Sequence, residues 1–205
     1  MTAGILDPTI SRSSTSTTTS GSSSGASSGT GHAPTGAPRV PALAGLRVGL
    51  LENTKRHAAE VLDAVGAALA EEPPRRQSAD RPGRRPLELV RLTKQNFAMP
   101  LAEELVEQLV RDCDVVVIGV GDCGSCSAAA VADGIALEAR GLPVAVVCTE
   151  AFDVTSRAMA RLKGQPDFPY LLMPHPIANL TPDGIAERGR DLAARIGAHL
   201  TGAPA

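Results

Sequence analysis

Residues 114–128 read DVVVIGVGDCGSCSA: a run of β-branched apolar residues, then glycines, small residues and two cysteines. A short apolar run of this kind, closed by glycine, reads as a strand buried on both faces. The strand is expected over Asp114–Gly119 and a helix from about Ser125 to Arg140, where Gly141 supplies the stop. Ser125 is the candidate cap of that helix, because a hydroxyl can accept one of the unpaired N–H groups of a first turn.

The same alternation continues in both directions. Upstream, Leu46–Leu51 (LRVGLL) reads as a strand, and His57–Glu71 as a helix with Val61, Leu62, Val65 and Leu69 on one face. Leu87–Leu92 is the second strand, followed by a helix over Pro100–Arg111 with Pro100 suited to its first turn. Downstream come a strand at Pro143–Cys148, a helix at Glu150–Leu162 and a short strand at Tyr170–Met173. The last helix opens at Thr181-Pro182-Asp183, with Thr181 as cap and Pro182 at the first helical position. Strands alternating with helices imply an α/β fold: a three-layer, mostly parallel sheet of about five strands, flavodoxin-like or Rossmann-like. Strand order is not encoded in such a pattern.

Three segments are expected. Residues 1–10 contain a short apolar piece, Ile5-Leu6-Asp7-Pro8-Thr9, able to dock on the body. Residues 11–44 form a Ser/Thr/Gly/Pro-rich flexible linker, too polar to offset its chain entropy by burial. Residues 45–202 form the α/β domain, interrupted by a proline- and arginine-rich loop at Pro73–Pro86 that contains Arg75, Arg76, Arg81, Arg84 and Arg85. A solvated loop accounts for those arginines better than an anion site does.

Composition narrows the function. Of 205 residues, 43% are hydrophobic and 20% charged, and the net charge is −2, so no overall attraction to nucleic acid or an anionic membrane is expected. Aromatic residues are only 2% and Trp is absent, which removes the stacking platforms of single-strand binders. No apolar run is long enough for a membrane span, and MTAGILDPTISRS does not have the build of a secretory signal. Four cysteines in such a chain do not suggest a disulfide scaffold, so a reducing cytoplasm is the expected compartment.

In an open parallel sheet, ligands bind beyond the carboxyl ends of the strands. There the sequence places Glu52, Asn53, Thr54 and Lys55, then Thr93, Lys94, Gln95 and Asn96. The later strands add Asp122, Cys123, Ser125 and Cys126, then Cys148, Thr149 and Glu150, then Pro174-His175-Pro176. Cys113 precedes its strand, and the strand's length puts it roughly 17 Å from the GDCGSC loop. A four-cysteine metal site is therefore not expected, and no metal ligands are assigned.

Two readings of the loop compete. Cys123 and Cys126 form a Cys-x-x-Cys pair at a helix start, where unpaired N–H groups and the helix dipole favour thiolate. Cys123 would attack and Cys126 resolve, with His175 or Asp122 assisting proton transfer. Lys55, Asn53, Gly121, Gly124, Ser125, Thr149 and Glu150 are the candidate substrate contacts by position. Alternatively, Gly119-x-Gly121-x-x-Gly124 is a dinucleotide fingerprint, with Glu150 as the ribose-binding acid, although Glu150 follows by about thirty residues rather than the usual twenty. A non-enzymatic accessory subunit that binds a metal or metabolite is the third option.

Gly121-Asp122-Cys123-Gly124-Ser125-Cys126 resembles the signature of the UGSC family of (seleno)proteins, in which the first position of Cys-Gly-Ser-Cys is often selenocysteine. The likeness extends to Ile5–Thr9, to Leu50-Leu51-Glu52-Asn53-Thr54-Lys55, to Cys148-Thr149-Glu150 with Phe152, and to Pro174-His175-Pro176. The resemblance implies a redox-type site with Cys123 in the selenocysteine position and Cys126 as its partner. The chain departs from those members in carrying sulfur there, which lowers the expected nucleophilicity, and in its long Ser/Thr insert. A thiol-dependent oxidoreductase or redox subunit is the expectation. Its substrate would be a small molecule or a redox partner protein, and an external thiol or a reductase the electron donor. No resident cofactor is assigned, and a homo- or hetero-oligomer is compatible with the sequence.

Overall fold

A computed structural model describes residues 36–71 and 85–203. The Ile5–Thr9 piece, most of the linker and most of the arginine-rich loop lie outside the described residues.

Five strands, β1 (Arg47–Glu52), β2 (Glu88–Thr93), β3 (Val115–Gly121), β4 (Val144–Thr149) and β5 (Leu171–Met173), form one parallel sheet in the order β2-β1-β3-β4-β5. That is the flavodoxin-like order, with its switch point between β1 and β3. Every residue of β3 and β4 is buried, as strands covered on both faces require.

The helices are α1 (Ala58–Glu71), α2 (Glu103–Asp112), α3 (Gly124–Ala139), α4 (Asp153–Leu162) and α5 (Pro182–Thr201). One face of the sheet packs Val48, Leu50, Val115 and Val117 against Val61, Leu62 and Val65 of α1 and Leu192 and Ile196 of α5. The other packs Leu51, Val116 and Ile118 against Leu109 of α2 and Val131 and Ile135 of α3. Each such fully buried aliphatic side chain contributes on the order of 1.5–3 kcal/mol over leaving it exposed. On the first face α1 and α5 touch closely: a Cβ at Gly189 would stand 2.5 Å from Ala64 Cβ.

Several expected boundaries move. β1, β2 and β4 each end one residue later than their apolar runs, because Glu52, Thr93 and Thr149 still hold the ladder. α1 starts at Ala58, since His57 takes a left-handed φ of 63°. α2 begins at Glu103, not at Pro100, because Leu101 N–H is drawn 3.0 Å from Asp133 Oδ1 ahead of the helix. Before α4, Glu150–Phe152 form a 3-10 turn instead of α-helix. Thr181 caps α5 through Gly184 N–H, and Gly141 takes the left-handed conformation after α3, both as expected.

Residues 36–44, read from sequence as linker, are packed on the body. Ala37 N–H and the Arg39 guanidinium both donate to the buried Glu138 carboxylate at 2.5 Å, and Val40 N–H donates to Leu200 O at 3.1 Å. Composition alone could not reveal the acceptor, which lies about a hundred residues away.

Candidate functional site

The site is centred on the end of β3. Along β3 and β4, Ile118 pairs with Val146 but Gly121 with Cys148, so three steps on β3 match two on β4. Such a bulge inserts one residue and redirects the chain that follows it. Gly121 then lies so close to α3 that a Cβ would stand 2.7 Å from Ser127 Cα and 2.7 Å from Cys148 Sγ. Protein packing therefore requires this glycine. At Gly124 a Cβ would meet only Thr155 Cγ2 at 3.7 Å, and at Gly119 only ordinary contacts. Packing thus explains the glycine at position 121, while positions 119 and 124 have room for a Cβ.

Cys123 is the N-cap of α3, in extended conformation, and its Sγ accepts the Cys126 N–H at 3.2 Å. Ser125, the expected cap, is instead exposed inside the first turn, its Oγ 3.5 Å from Cys123 Sγ. Oxygen caps dominate general preference, but here the sulfur two residues earlier holds the geometry. Ser127 secures the turn from beneath: its N–H and Oγ–H both donate to Cys123 O, at 3.0 and 2.6 Å.

The two sulfurs are bonded as a disulfide, with Cα atoms 5.1 Å apart. Their exposures differ: Cys123 is half-buried and Cys126 fully buried. Attack from outside can reach Cys123, while Cys126 meets it from within.

On the β4–β5 side of the disulfide stands His175, next to a cis His175–Pro176 bond. Its Nδ1 lies 2.7 Å from Asp122 Oδ1 and 3.3 Å from Thr149 Oγ1, and its ring makes an edge contact with Phe152 at 5.3 Å between centroids. Thr149 is fully buried and its hydroxyl donates to Gly121 O at 3.3 Å, so this group is tied to the bulge. The Asp122 carboxylate accepts from Nδ1, which leaves Nε2 as the ring's acceptor nitrogen.

On the β1–β2 side, Asn53 is 3% exposed; its Nδ2 donates to Val120 O at 2.9 Å. Lys55 Nζ sits over the Phe97 ring at 4.2 Å. Lys94 and Asp133 form an ion pair with side chains only 5% and 3% exposed. Burial pushes the Asp133 carboxyl above its ordinary range, against the pull of the Lys94 ammonium. Leu51, Phe97, Ile118 and Ala130 close this side around a space too tight to admit a water molecule. Asn53, Lys94 and Asp133 line it too, and so does Cys126.

The expected site residues therefore gather at one end of the sheet. Cys123 and Cys126 form the disulfide, Gly121, Asp122, Thr149 and His175 are joined by hydrogen bonds at the end of β3 just ahead of it, and Asn53 and Lys55 follow β1. Gly124 and Ser125 begin α3, and Glu150 is exposed at the start of its 3-10 turn. Cys148, counted from sequence among the reactive rim groups, is fully buried beneath Gly121, and burial pushes its thiol up to about 12. Cys113 lies at the other end of β3, as expected, with its thiol pushed up to about 11 by burial.

Asp133 and Phe97 were not singled out from sequence, and Lys94 only as a residue following a strand. The available signal was helical phase: Asp133 follows Cys126 by two turns and so shares its face of α3, one of two acids, with Glu138, in a helix otherwise built of small and apolar residues. Among the described residues no cluster of three His, Cys, Asp or Glu could hold a metal ion, and no helix is long and apolar enough to cross a membrane.

Among solved structures, a diflavin flavoprotein A3 from Nostoc sp. is similar at 13% identity and a TM-score of 0.37, covering 75% of this chain and 94% of that one. A search of curated proteins found no match. Compared with known families, residues 4–202 match the UGSC family, nearly the whole length, including the Cys-Gly-Ser-Cys turn that carries the disulfide. The chain therefore belongs to the UGSC family.

Proposed function

We propose that the protein is a thiol-dependent oxidoreductase, or the redox subunit of one, acting in a reducing cytoplasm on a small molecule or partner protein. The observation that carries this is the pairing of a half-exposed Cys123 with a buried Cys126 across the first turn of α3, close enough to share a disulfide. In the dithiol state, the Cys126 N–H on Cys123 Sγ and the amino end of the helix stabilise the Cys123 thiolate. The thiolate attacks one sulfur of a substrate disulfide, forming a mixed disulfide and releasing the other sulfur as a thiolate. Cys126, deprotonated, then attacks Cys123 Sγ, closing the internal disulfide and releasing the second substrate thiolate. Two electrons pass to the substrate, and an external thiol restores the dithiol. His175 Nε2 holds or supplies the proton that the leaving thiolate needs, with Asp122 fixing the ring.

Turnover of hydroxyethyl disulfide with an external thiol as reductant tests the scheme. Cys123→Ser abolishes turnover, Cys126→Ser accumulates the mixed disulfide when substrate is added to the reduced protein without external thiol, and Cys113→Ser leaves the rate unchanged. A Cys123→Ser protein with the unaltered rate would falsify the scheme.

A further inference from the structure

The Thr149 hydroxyl is a group that the thiol scheme does not use. Thr149 is the last residue of β4 and is fully buried, so it cannot touch a substrate. Its Oγ1 lies 3.3 Å from Gly121 O and 3.3 Å from His175 Nδ1. The same Nδ1 is 2.7 Å from Asp122 Oδ1. A carboxylate only accepts, so Nδ1 carries the proton. Thr149 Oγ1 then stands between an N–H and a carbonyl. It accepts from His175 and gives its own proton to Gly121 O. Every proton of the group has one place.

These bonds converge on one stretch of chain. Gly121 and Asp122 are consecutive, and Cys123 follows them. His175 comes after β5, and β4 lies between β5 and β3 in the sheet, so no ladder bond ties it to the loop that carries the sulfur. A single bond to Asp122 would leave the imidazole free to swing about that bond. The second acceptor, on a buried strand end, sets the ring plane, and the edge contact with Phe152 limits its tilt. None of these contacts involves Nε2. The His175 side chain is 36% exposed against 10% for Asp122, so the anchors lie inside while the ring reaches the surface.

We propose that Thr149 is a positioning residue for His175: its buried hydroxyl, tied to the bulge at Gly121, keeps the proton on Nδ1 and sets the ring relative to the segment that carries Cys123. Its effect on rate rests on the thiol mechanism above; the placement of the proton stands without it. Thr149 thus acts through the imidazole, and not on the substrate as its position after β4 suggested.

The test has two readouts on the full chain. The first is the ring-nitrogen resonances of His175 in isotope-labelled protein, assigned by their loss in His175→Ala and recorded where the ring is neutral. Nδ1 is expected to carry the proton and Nε2 to be bare, the reverse of the form that an imidazole favours in water. A proton on Nε2 overturns the proposal. The second is the single-turnover rate of the reduced protein with hydroxyethyl disulfide. Thr149→Val keeps the side chain's shape and should be about tenfold slower, the worth of roughly one hydrogen bond. Thr149→Ser keeps the hydroxyl and should recover most of that rate. Added to His175→Ala, Thr149→Val should slow the reaction no further, because its effect passes through the ring. An unaltered rate in Thr149→Val, a serine variant as slow as the valine one, or a full further loss in the double variant overturns the proposal. If Thr149→Val does not fold, the ring resonances of the unaltered protein still decide. An inert Cys123 beside a protonated Nδ1 removes only the redox scheme, and turnover with the proton on Nε2 removes only the positioning.

Discussion

The two ends of the sheet use the same residue types for opposite ends. At the amino end, Cys113 is buried, Gly49 lies beneath it, and the half-buried Arg47–Asp114 pair joins β1 to the start of β3. At the carboxyl end, Cys123 is half-exposed on a helix start, Gly121 admits α3, and the Lys94–Asp133 pair is sealed inside. A thiol, a glycine and an ion pair occur at both ends, so residue type alone cannot explain the difference. Surroundings do: the amino end presents the ends of short turns to solvent, whereas the carboxyl end has loops able to enclose some groups and present others.

Thiol reactivity should break the symmetry most. With its thiol pushed up to about 11, Cys113 has roughly one molecule in ten thousand as thiolate at pH 7, and Cys148, at about 12, tenfold fewer. Both are also closed to reagents. Iodoacetamide added to the reduced native protein should label Cys123 on the order of a thousandfold faster than either. Mass spectrometry of the digest reads this directly. Comparable labelling of Cys113 in the folded protein would show that the two ends do not differ as described.

The ion pairs should differ next. Truncating Asp133→Leu strands the Lys94 ammonium in the interior and should cost about 3–5 kcal/mol in urea unfolding. Lys94→Met with Asp133→Leu together should recover most of that loss, since the apolar pair leaves no uncompensated charge. If the double variant is as unstable as the single, the pair acts by more than mutual neutralisation.

Glycine substitutions come third. Gly121→Ala forces backbone apart, because the nearest atom is Ser127 Cα at 2.7 Å, and should cost about 1–3 kcal/mol. Gly49→Ala meets Cys113 Sγ at 2.8 Å, the end of a side chain that can turn, and should cost less. Gly124→Ala has room and gains helix propensity, so thermal stability should hold or rise slightly. A loss at Gly124 matching that at Gly121 would mean that the start of α3 is more crowded than the 3.7 Å contact with Thr155 implies.

The fold was legible because periodicity alone specifies buried strands and amphipathic helices, and the apolar runs at Val115–Ile118 and Val144–Val147 could be nothing else of that length. Order across the sheet was not, since β2 and β3 both flank β1 through contacts that leave no local trace. Strand ends were placed one residue short wherever the final rung was polar, as at Glu52 and Thr149. Cys123, Cys126, Asp122 and His175 could be grouped because each follows a strand of the same sheet. Lys94 and Asp133 could not be paired, for they meet across 39 residues and are held together by burial. The cap at Cys123 was missed in favour of Ser125 because hydroxyl preference is an average, and a thiol in extended conformation satisfies the same N–H.

The smallest expected effect belongs to the amino-end ion pair, and its sign can be worked out. Arg47 donates through its guanidinium to Asp114 at 3.0 Å and through its backbone N–H at 2.7 Å, and these bonds hold the Asp114 carboxyl below its ordinary value of 3.8. A carboxylate depressed in the folded state contributes stability that is present above the unfolded value and is lost as pH falls through the folded one. The side chains are 40% and 35% exposed, so screening limits the pair to about 1 kcal/mol or less. Asp114→Asn should therefore lower stability slightly at pH 7 and make no difference once the pH is well below the folded value. Urea midpoints measured across that range check it. A variant still less stable in strong acid would mean that Asp114 acts through shape, as a backbone acceptor, and not through its charge.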